Sequence, residues 1–461
     1  MNVRRIWLCT ACVPALLAFS GNGQAAGPQR VGIGGGSGYL HYPDAQATLK
    51  LRPGDVLYIY PGTYSGLSLG NLSGTAARPI TVRCDPKTVF TTAVPQSNDF
   101  PNVAHVCFEN FRFEQYNGTC MRITGHSHDL LFKDFNIVNA SGYSFHVYDP
   151  AKVFDGSKAS AFYNFKWENM VVDGKTNGAA ISNSNYSLSN MISVALDFEV
   201  HKCAFRRFDN RVQAFSAIDL QRCFNLKVHE CNFRDIGMAE SPIGHNVCIA
   251  VAGYVHAYGN RFTRQWANDA RVWPMKLNAL GYNGADAVNR FYNNISWEKR
   301  KYPMYEHNRA PQADLDRCSG YLARTASEIC FNTLYRSRKA AGSKDPYCGT
   351  LVDVYGPDVT IKHNLVIEPE ADAPFDPLRN YVCHLGAGPQ SGILAENNLV
   401  LRTWAEAGLV DADSFVPSWG SLARDAATGR VGYITKDHYG QNRYVGAAAD
   451  LGAVERQDAK K

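Results

Sequence analysis

The chain has 461 residues, with 19% charged residues, 12% aromatic residues and a formal net charge of +5. This composition excludes a disordered chain, and the mild net charge excludes the strongly basic surface typical of nucleic-acid-binding proteins. The length is large for one ordinary globular core, whereas a solenoid of this length grows by stacking repeats.

The first residues have the pattern of a secretory signal peptide. A pair of arginines precedes a short apolar stretch, from Ile6 to Phe19, and small residues lead to a cleavage site near Ala26. We therefore expect residues 1–26 to be removed and residues 27–461 to form one exported domain, in the periplasm or outside the cell. No later stretch is long and apolar enough to span a membrane, and we expect a monomer.

An internal repeat is the strongest signal in the chain: Asn stands at or just before an apolar residue at intervals of 26 to 38 residues. One rung of a parallel β-helix has this length. A single rung cannot bury its apolar side alone, so rungs stack, and amides at equivalent turns then hydrogen-bond along the stack as an asparagine ladder. The repeat occurs at Asn110, Asn136, Asn169, Asn232, Asn260, Asn294, Asn332, Asn364 and Asn398, with Ala204 filling the one gap.

The segment upstream of each repeat alternates apolar and other residues, which is the period of a strand with one face in the core. The second residue of each pair is therefore expected to point outward. The sequence predicts an all-β fold, a right-handed parallel β-helix of about ten rungs. The aligned segments begin at Met121, Phe145, Ile218, Ile249, Met275 and Val352.

Both ends of the chain resemble a known group of proteins. Leu51-Arg-Pro-Gly-Asp-Val-Leu-Tyr-Ile-Tyr-Pro-Gly-Thr-Tyr is similar to the opening of secreted pectate-lyase-like and chondroitinase-B-like β-helix proteins, and Gly440-Gln-Asn-Arg, followed by Asp450-Leu-Gly-Ala-Val-Glu, to their closing strand. The resemblance covers residues 31 to 455. It implies a substrate groove on the outer face of one sheet and a short capping helix from Asp44 to Lys50. It does not imply one activity, because this fold hosts lyases, hydrolases, esterases, epimerases and binding proteins.

The outward residues of the aligned strands form two predicted columns, with neighbouring rungs about 4.8 Å apart. Ala250 and Ala252, in the middle of these columns, are small and are expected to leave room for a substrate. The first column contains Arg122, His146, Asp219, Ala250, Lys276, Tyr305, Asp353 and His384. The second column contains Thr124, Tyr148, Gln221, Ala252, Asn278 and His307.

The residues around the two alanines suit β-elimination from a uronic acid, which needs a neutralised carboxylate, a base and an acid for the leaving oxygen. Lys276 is the candidate base, because a neighbouring Arg271 and partial desolvation favour a neutral amine. Arg271 is the candidate for binding the carboxylate, and Tyr305 or His307 for the acid. We therefore predict a polysaccharide lyase whose partner is an anionic polysaccharide. The candidate substrate-binding residues are Asp219, Gln221, His245, Trp273 and Asn278.

Other activities on the same scaffold stay open. A glycoside hydrolase needs two carboxylates, which would be Asp219 and, supplied from a loop, one of Asp269, Asp286 or Glu306. An epimerase begins with the same proton abstraction as a lyase, and a glycan-binding solenoid without catalysis needs only aromatic and polar surface. A calcium ion is also left open, although paired acidic residues at calcium spacing are not evident.

Overall fold

The computed structural model describes residues 27–42, 50–175, 178–183, 191–208, 216–237, 247–300, 302–337, 349–371, 374–386 and 391–457. Three parallel β-sheets run along the stack, and each rung contributes one strand to each sheet in turn. Because almost every pairing joins strands of successive rungs in parallel, the chain forms a parallel β-helix.

Sheet 1 has thirteen strands in the described part of the chain, somewhat more than the ten rungs expected from the sequence. Its strands are Arg30–Ile33, Val56–Ile59, Ile80–Cys84, Ala104–Glu109, His128–Lys133, Phe162–Glu168, Glu199–His201, the ends of Ser216–His229 and Val247–Tyr258, then Asn289–Tyr292, Ser327–Cys330, Val359–Lys362 and Ile393–Glu396.

Sheet 2 follows sheet 1 within each rung. Its strands are Ser37–Tyr42, the beginnings of Gly62–Leu69, Thr88–Pro101 and Arg112–Thr124, then Asn136–Val138, Val171–Asp173, Ala204–Phe208, Asn232–Ile236, Arg261–Thr263, Ile295–Trp297, Thr333–Tyr335, Leu365–Ile367 and Leu399–Leu401.

Sheet 3 completes the rung and holds the predicted columns. Its strands are the ends of Thr88–Pro101 and Arg112–Thr124, then Phe145–Val147, Ile181–Ser182, the beginnings of Ser216–His229 and Val247–Tyr258, Asn268–Leu277, Tyr305–His307, Val352–Val354 and Cys383–Leu385. At one join between sheets 3 and 1, Gly253 has a φ of 149°, and a Cβ there would lie 1.8 Å from the carbonyl oxygen of Cys223. Only glycine fits this corner.

Short elements decorate the loops. Ala195–Leu196 pairs beside sheet 1, and Leu322–Arg324 runs antiparallel to the end of Asn268–Leu277. A 3₁₀ turn spans Lys158–Ser160, and two short helices span Gln312–Arg317 and Trp404–Ala407. In the described ranges, no helix is long and apolar enough to cross a membrane. The signal segment 1–26 and nearly all of the predicted capping helix lie outside the described residues.

An asparagine ladder is present in the upper half of the stack. Buried Asn294 accepts a hydrogen bond from Asn260 at 3.0 Å and donates one to Asn332 at 3.1 Å, and the same pattern continues through Asn364 to Asn398. Each amide also satisfies backbone groups of the neighbouring rungs, which a buried turn requires. The predicted ladder is confirmed for these five rungs.

In the lower half the prediction was wrong by one position. The strand register places Cys231, Cys203, Met170, Phe135 and Phe111 below Asn260, so that the ladder passes into thiols and then apolar side chains. The motif asparagines there stand one residue before or after the ladder position. Asn110 and Asn169, for example, have φ values of 61° and 54°, a left-handed conformation that Asn tolerates well.

The interior is filled by side chains that stack from rung to rung. Phe205, Phe233 and Phe262 follow one another at ring-centroid distances of 4.9 Å, nearly parallel. Such layers bury large aromatic areas and hold the rungs in register. The outer face of sheet 3, by contrast, carries charged and polar side chains.

Candidate functional site

The outward side chains of sheet 3 form one column in strict register, here called the outer row. It combines acids, arginines, histidines and one small residue on a rigid scaffold, with rungs about 4.8 Å apart. The outer row comprises Asp99, Arg122, His146, Ser182, Asp219, Ala250, Arg271, Glu306, Asp353 and His384.

Arg271, and not Lys276, occupies the position after Ala250. Lys276 lies five residues further along the same strand, where it pairs antiparallel with Ala323. At about 3.3 Å per residue, the two side chains stand roughly 16 Å apart along the strand. The predicted placement of Lys276 in the outer row is therefore wrong.

Tyr305 and His307 point into the core, which contradicts their predicted outward placement. Tyr305 pairs with Ala270, and His307 lies beside Val272, so the intervening Glu306 faces outward. The Tyr305 hydroxyl and the His307 Nδ1 both contact the Ser327 hydroxyl, at 3.0 and 2.9 Å. Burial lowers the pKa of His307 to about 4, and neither side chain is exposed to a substrate.

The second predicted column is retained only in part. Gln221, Ala252 and Trp273 are in register on sheet 3. Asn278 lies beyond the strand, exposed, with its backbone N–H donating to the Tyr321 carbonyl. His245 lies outside the described residues.

The expected room above the alanines is reduced. Ala252 is fully buried in a hydrophobic cluster with Phe224, Tyr254 and Leu322, and Ala250 is 4% exposed. The loops that supply this cluster therefore cover the second column. In the outer row, the polar groups of Asp219 and Arg271 remain partly exposed.

Glu306 anchors Arg271. The Arg271 Nη2 donates to Glu306 Oε2 at 2.8 Å, and the side chains are 13% and 9% exposed. Asn268 donates to the same oxygen at 3.0 Å and Asn308 to the other at 2.9 Å. Within the described residues, the buried Nε of Arg271 has no hydrogen-bond partner. A buried donor of this kind is costly unless a ligand satisfies it.

Two other acids of the outer row have raised pKa values. Burial raises the pKa of Asp219, and a hydrogen bond from Gln221 Nε2, at 2.8 Å, opposes that shift. Burial also raises the pKa of Asp353, assisted by the charge of Glu306 on the neighbouring rung, while His384 at 2.9 Å opposes it. Perturbed acids on one exposed face are typical of functional sites.

The lower end of the outer row is a preformed polar surface. Arg122 donates to Asp99 through Nε and Nη2, both at 2.7 Å, in a bidentate pair. The His146 ring stacks between Tyr143 and Tyr148, at centroid distances of 4.4 and 5.4 Å. The ion pair fixes the orientation of the Arg122 side chain, and the ring stacking fixes that of His146, along the direction in which a long substrate would lie.

Asp219 and Glu306 do not share a calcium site in the part of the chain that the structure describes. Calcium needs six to eight oxygen ligands around one point. Asp219 lies between Ser182 and Ala250, and both Glu306 oxygens already accept hydrogen bonds. These two carboxylates therefore do not converge on one cation.

Sequence reasoning missed Asp99, Asn268 and Asn308 as parts of the site, and placed Glu306 in a loop. Alternation was the available signal for Glu306, since the flanking Tyr305 and His307 share one face of the strand. Asp269, one of the predicted loop carboxylates, is fully buried in an ion pair with Lys299.

No protein-family model matches the chain, and no curated protein matches it. Among solved structures, the chain is similar to pectate lyase Pel9A, with 12% identity, a TM-score of 0.42 and coverage of 92% of this chain and 97% of that one. It is also similar to an alginate lyase from Paenibacillus sp. str. FPU-7, with 13% identity, a TM-score of 0.40 and coverage of 78% and 99%. A rhamnogalacturonan lyase matches with 14% identity, a TM-score of 0.37 and coverage of 88% and 99%.

Proposed function

We propose that this protein cleaves an acidic, uronate-containing polysaccharide by β-elimination along the outer row. The observation that favours this function is that Arg271, with a side chain 13% exposed and held by Glu306, stands one rung above the small Ala250 and two rungs above Asp219. A cation suits a carboxylate ligand, and the small residue separates that cation from a candidate base.

Arg271 would bind the uronate carboxylate. Its Nη2 is held by Glu306, so the guanidinium is oriented before the substrate arrives, and the exposed part of the side chain, 13%, would meet a substrate oxygen. Pairing the carboxylate with a cation makes the adjacent C–H more acidic, which is the first requirement of the reaction.

Asp219 would take the proton. Its Cα lies two rungs, about 10 Å, from that of Arg271, a span that a sugar ring and the Arg271 side chain together fill. Burial raises the pKa of Asp219, which makes its carboxylate a stronger base than an exposed one. Asp219 accepts the proton from C5, the C4–O bond breaks, a C4=C5 double bond forms, and water protonates the leaving oxygen.

The test is ultraviolet absorbance of the unsaturated uronate, with full-length protein and a panel of acidic polysaccharides. We expect absorbance to rise with the wild type and to fall at least 100-fold in rate with Arg271→Ala and with Asp219→Asn, since each removes a central catalytic group. Lys276→Ala is the matched control, because this cation is off the outer row, and its rate should stay near wild type.

A lyase whose rate survives both substitutions would disprove these residue roles. A rate lost in Lys276→Ala but retained in Arg271→Ala would restore the assignment made from the sequence. Solvent deuterium entering the polymer without absorbance would indicate an epimerase, and the absence of any reaction or exchange would favour a glycan-binding protein.

A glycoside hydrolase is the second candidate, supported by Glu306 and Asp353 on neighbouring rungs. A spacing of about 5 Å suits a retaining pair of carboxylates, and the raised pKa of Asp353 suits an acid. New reducing ends without absorbance, lost in Asp353→Asn, would favour this function. The N-terminal segment supports export for either enzyme.

A further inference from the structure

Two histidines stack on the outer face of sheet 1, away from the outer row. His201 and His229 pair in register on neighbouring rungs, and their rings are nearly parallel at a centroid distance of 4.4 Å. Glu199 stands two residues before His201 and therefore on the same face of its strand. Its Oε1 lies 3.3 Å from the Nε2 of His229.

We propose that Glu199, His201 and His229 bind a divalent transition metal ion of the zinc class. Their ligating atoms all lie within 4.8 Å of one another. In a tetrahedral site with bonds of about 2.1 Å the ligating atoms lie about 3.4 Å apart, so side-chain movements of roughly an ångström close the site. Two imidazole nitrogens and one carboxylate oxygen form a donor set that zinc, copper and nickel favour over calcium or magnesium.

The surroundings supply a fourth ligand and a path to solvent. Glu230 Oε1 lies 3.5 Å from the Nε2 of His201 and 3.4 Å from the Nδ1 of His229, and its side chain is 49% exposed.

Lys166 is the competitor for this site. Its Nζ lies 3.1 Å from Glu199 Oε1 and 3.4 Å from Glu168 Oε2. Because Lys166 has this second carboxylate partner, it retains an ion pair when a metal takes Glu199. A divalent ion that displaces Lys166 from Glu199 therefore leaves the ammonium group paired with Glu168.

Ring stacking alone does not account for the cluster. The same stack continues to Tyr258 at 4.8 Å and to Tyr292 at 5.0 Å, where the rings offer no imidazole ligands. Stacking explains why the rings are parallel. Hydrogen bonds bring Glu199 and Glu230 to within 3.3 and 3.4 Å of the His229 nitrogens, and a bound cation would use the same groups.

The test is isothermal titration of zinc chloride into tag-free, full-length protein, with the midpoint of thermal unfolding measured in parallel. We expect one zinc per chain at this site and a midpoint that rises with zinc concentration, because the ion binds only the folded chain. The double variant His201→Phe with His229→Phe keeps two stacked rings but removes the ligating nitrogens, and should lose this binding. Glu199→Gln should weaken it at least tenfold.

The control is His105→Phe with His128→Phe, which alters the other His pair that approaches a carboxylate, at Asp129. That variant should keep the zinc bound at Glu199, His201 and His229. Binding that survives the first double variant, binding lost only in the control, or no saturable binding at a tenfold molar excess of zinc would each overturn the proposal.

Discussion

Arg271 and Glu306 occupy neighbouring rungs of sheet 3, and a 2.8 Å salt bridge joins them at the centre of the outer row. Glu306 is itself held at both oxygens, by Asn268 and Asn308. The Glu306 carboxylate is therefore fixed in place and sets the direction of the Arg271 guanidinium. Preorganised donors of this kind need little rearrangement when a substrate binds.

Glu306→Gln should show whether Glu306 only orients the Arg271 side chain or takes part in the reaction itself. Glutamine keeps the shape of the side chain but weakens the bond to Arg271, so we expect kcat to fall about tenfold, in line with supporting contacts around a site. Glu328→Gln is the matched control, because Glu328 holds Arg290 on sheet 1 at 3.1 Å. Complete loss of a reducing-end activity in Glu306→Gln, with no unsaturated product, would instead identify Glu306 as a catalytic group of a hydrolase.

The pH dependence of the reaction should report Asp219. A base is active when deprotonated, so activity is lost as the pH falls through its pKa, which burial raises above that of an ordinary carboxyl group. The Gln221 amide lowers that pKa by donating to the carboxylate. We therefore expect Gln221→Leu to move the acid limb of kcat/KM to higher pH, and Lys276→Ala to leave it in place. An acid limb that does not move would exclude Asp219 as the base.

His307 should make the fold sensitive to acid. Its pKa is lowered to about 4 in the folded chain, against about 6.5 when unfolded. The unfolded chain therefore binds a proton first, and stability that is fully present above pH 6.5 is lost as the pH falls toward 4. Between pH 7 and 5 the loss is about 2 kcal/mol.

We expect His307→Gln to be less stable than the wild type at pH 8 but to lose less stability between pH 7 and 5, as measured by urea unfolding. His126 is exposed, so His126→Gln removes no buried ring. This control variant should keep the wild-type pH dependence of the free energy of unfolding. An unchanged pH dependence in His307→Gln would show that the ring is protonated in the folded state.

Much of this fold was predictable because repeated turns leave repeated residues in the sequence. Asn260, Asn294 and Asn332 were found in this way, and Asp219 was placed on the outward face that it occupies. Register was the difficulty, since Lys276 stands five residues beyond the outward Arg271, and Tyr305 one residue before the outward Glu306. Strand Asn268–Leu277 is ten residues long, and its end, with Lys276, belongs to an antiparallel ribbon rather than to the outer row.

The asparagine ladder allows the stability contribution of a buried ladder position to be compared with that of an exposed asparagine in the same sequence motif. Asn294 is fully buried, donates to the Ala257 carbonyl at 3.0 Å and accepts from the Asn260 backbone N–H at 3.0 Å. Asn294→Ala leaves these groups without partners, at a cost of about 2 to 4 kcal/mol in the free energy of unfolding. Asn232→Ala alters an exposed asparagine with the same motif and should cost less than about 0.5 kcal/mol. Equal costs would mean that the ladder contacts add no stability.

The buried ion pair between Lys299 and Asp269 should be the most sensitive polar contact. The two atoms are 2.7 Å apart and neither side chain is exposed, whereas the pair between Lys362 and Glu396 is partly exposed. Removing one buried partner strands the other charge, so Lys299→Met should cost about 3 to 5 kcal/mol. Lys362→Met should cost at most about 1 kcal/mol.

Adding Asp269→Leu to Lys299→Met should recover part of that loss, because the stranded carboxylate is then gone. The double variant also separates structure from catalysis, since Asp269 was one of the carboxylates considered for a hydrolase. If stability recovers and activity is retained, Asp269 serves the fold alone. If stability recovers while reducing-end activity disappears, Asp269 takes part in the reaction. In that case the buried Asp269 side chain must become accessible from the outer row during the reaction.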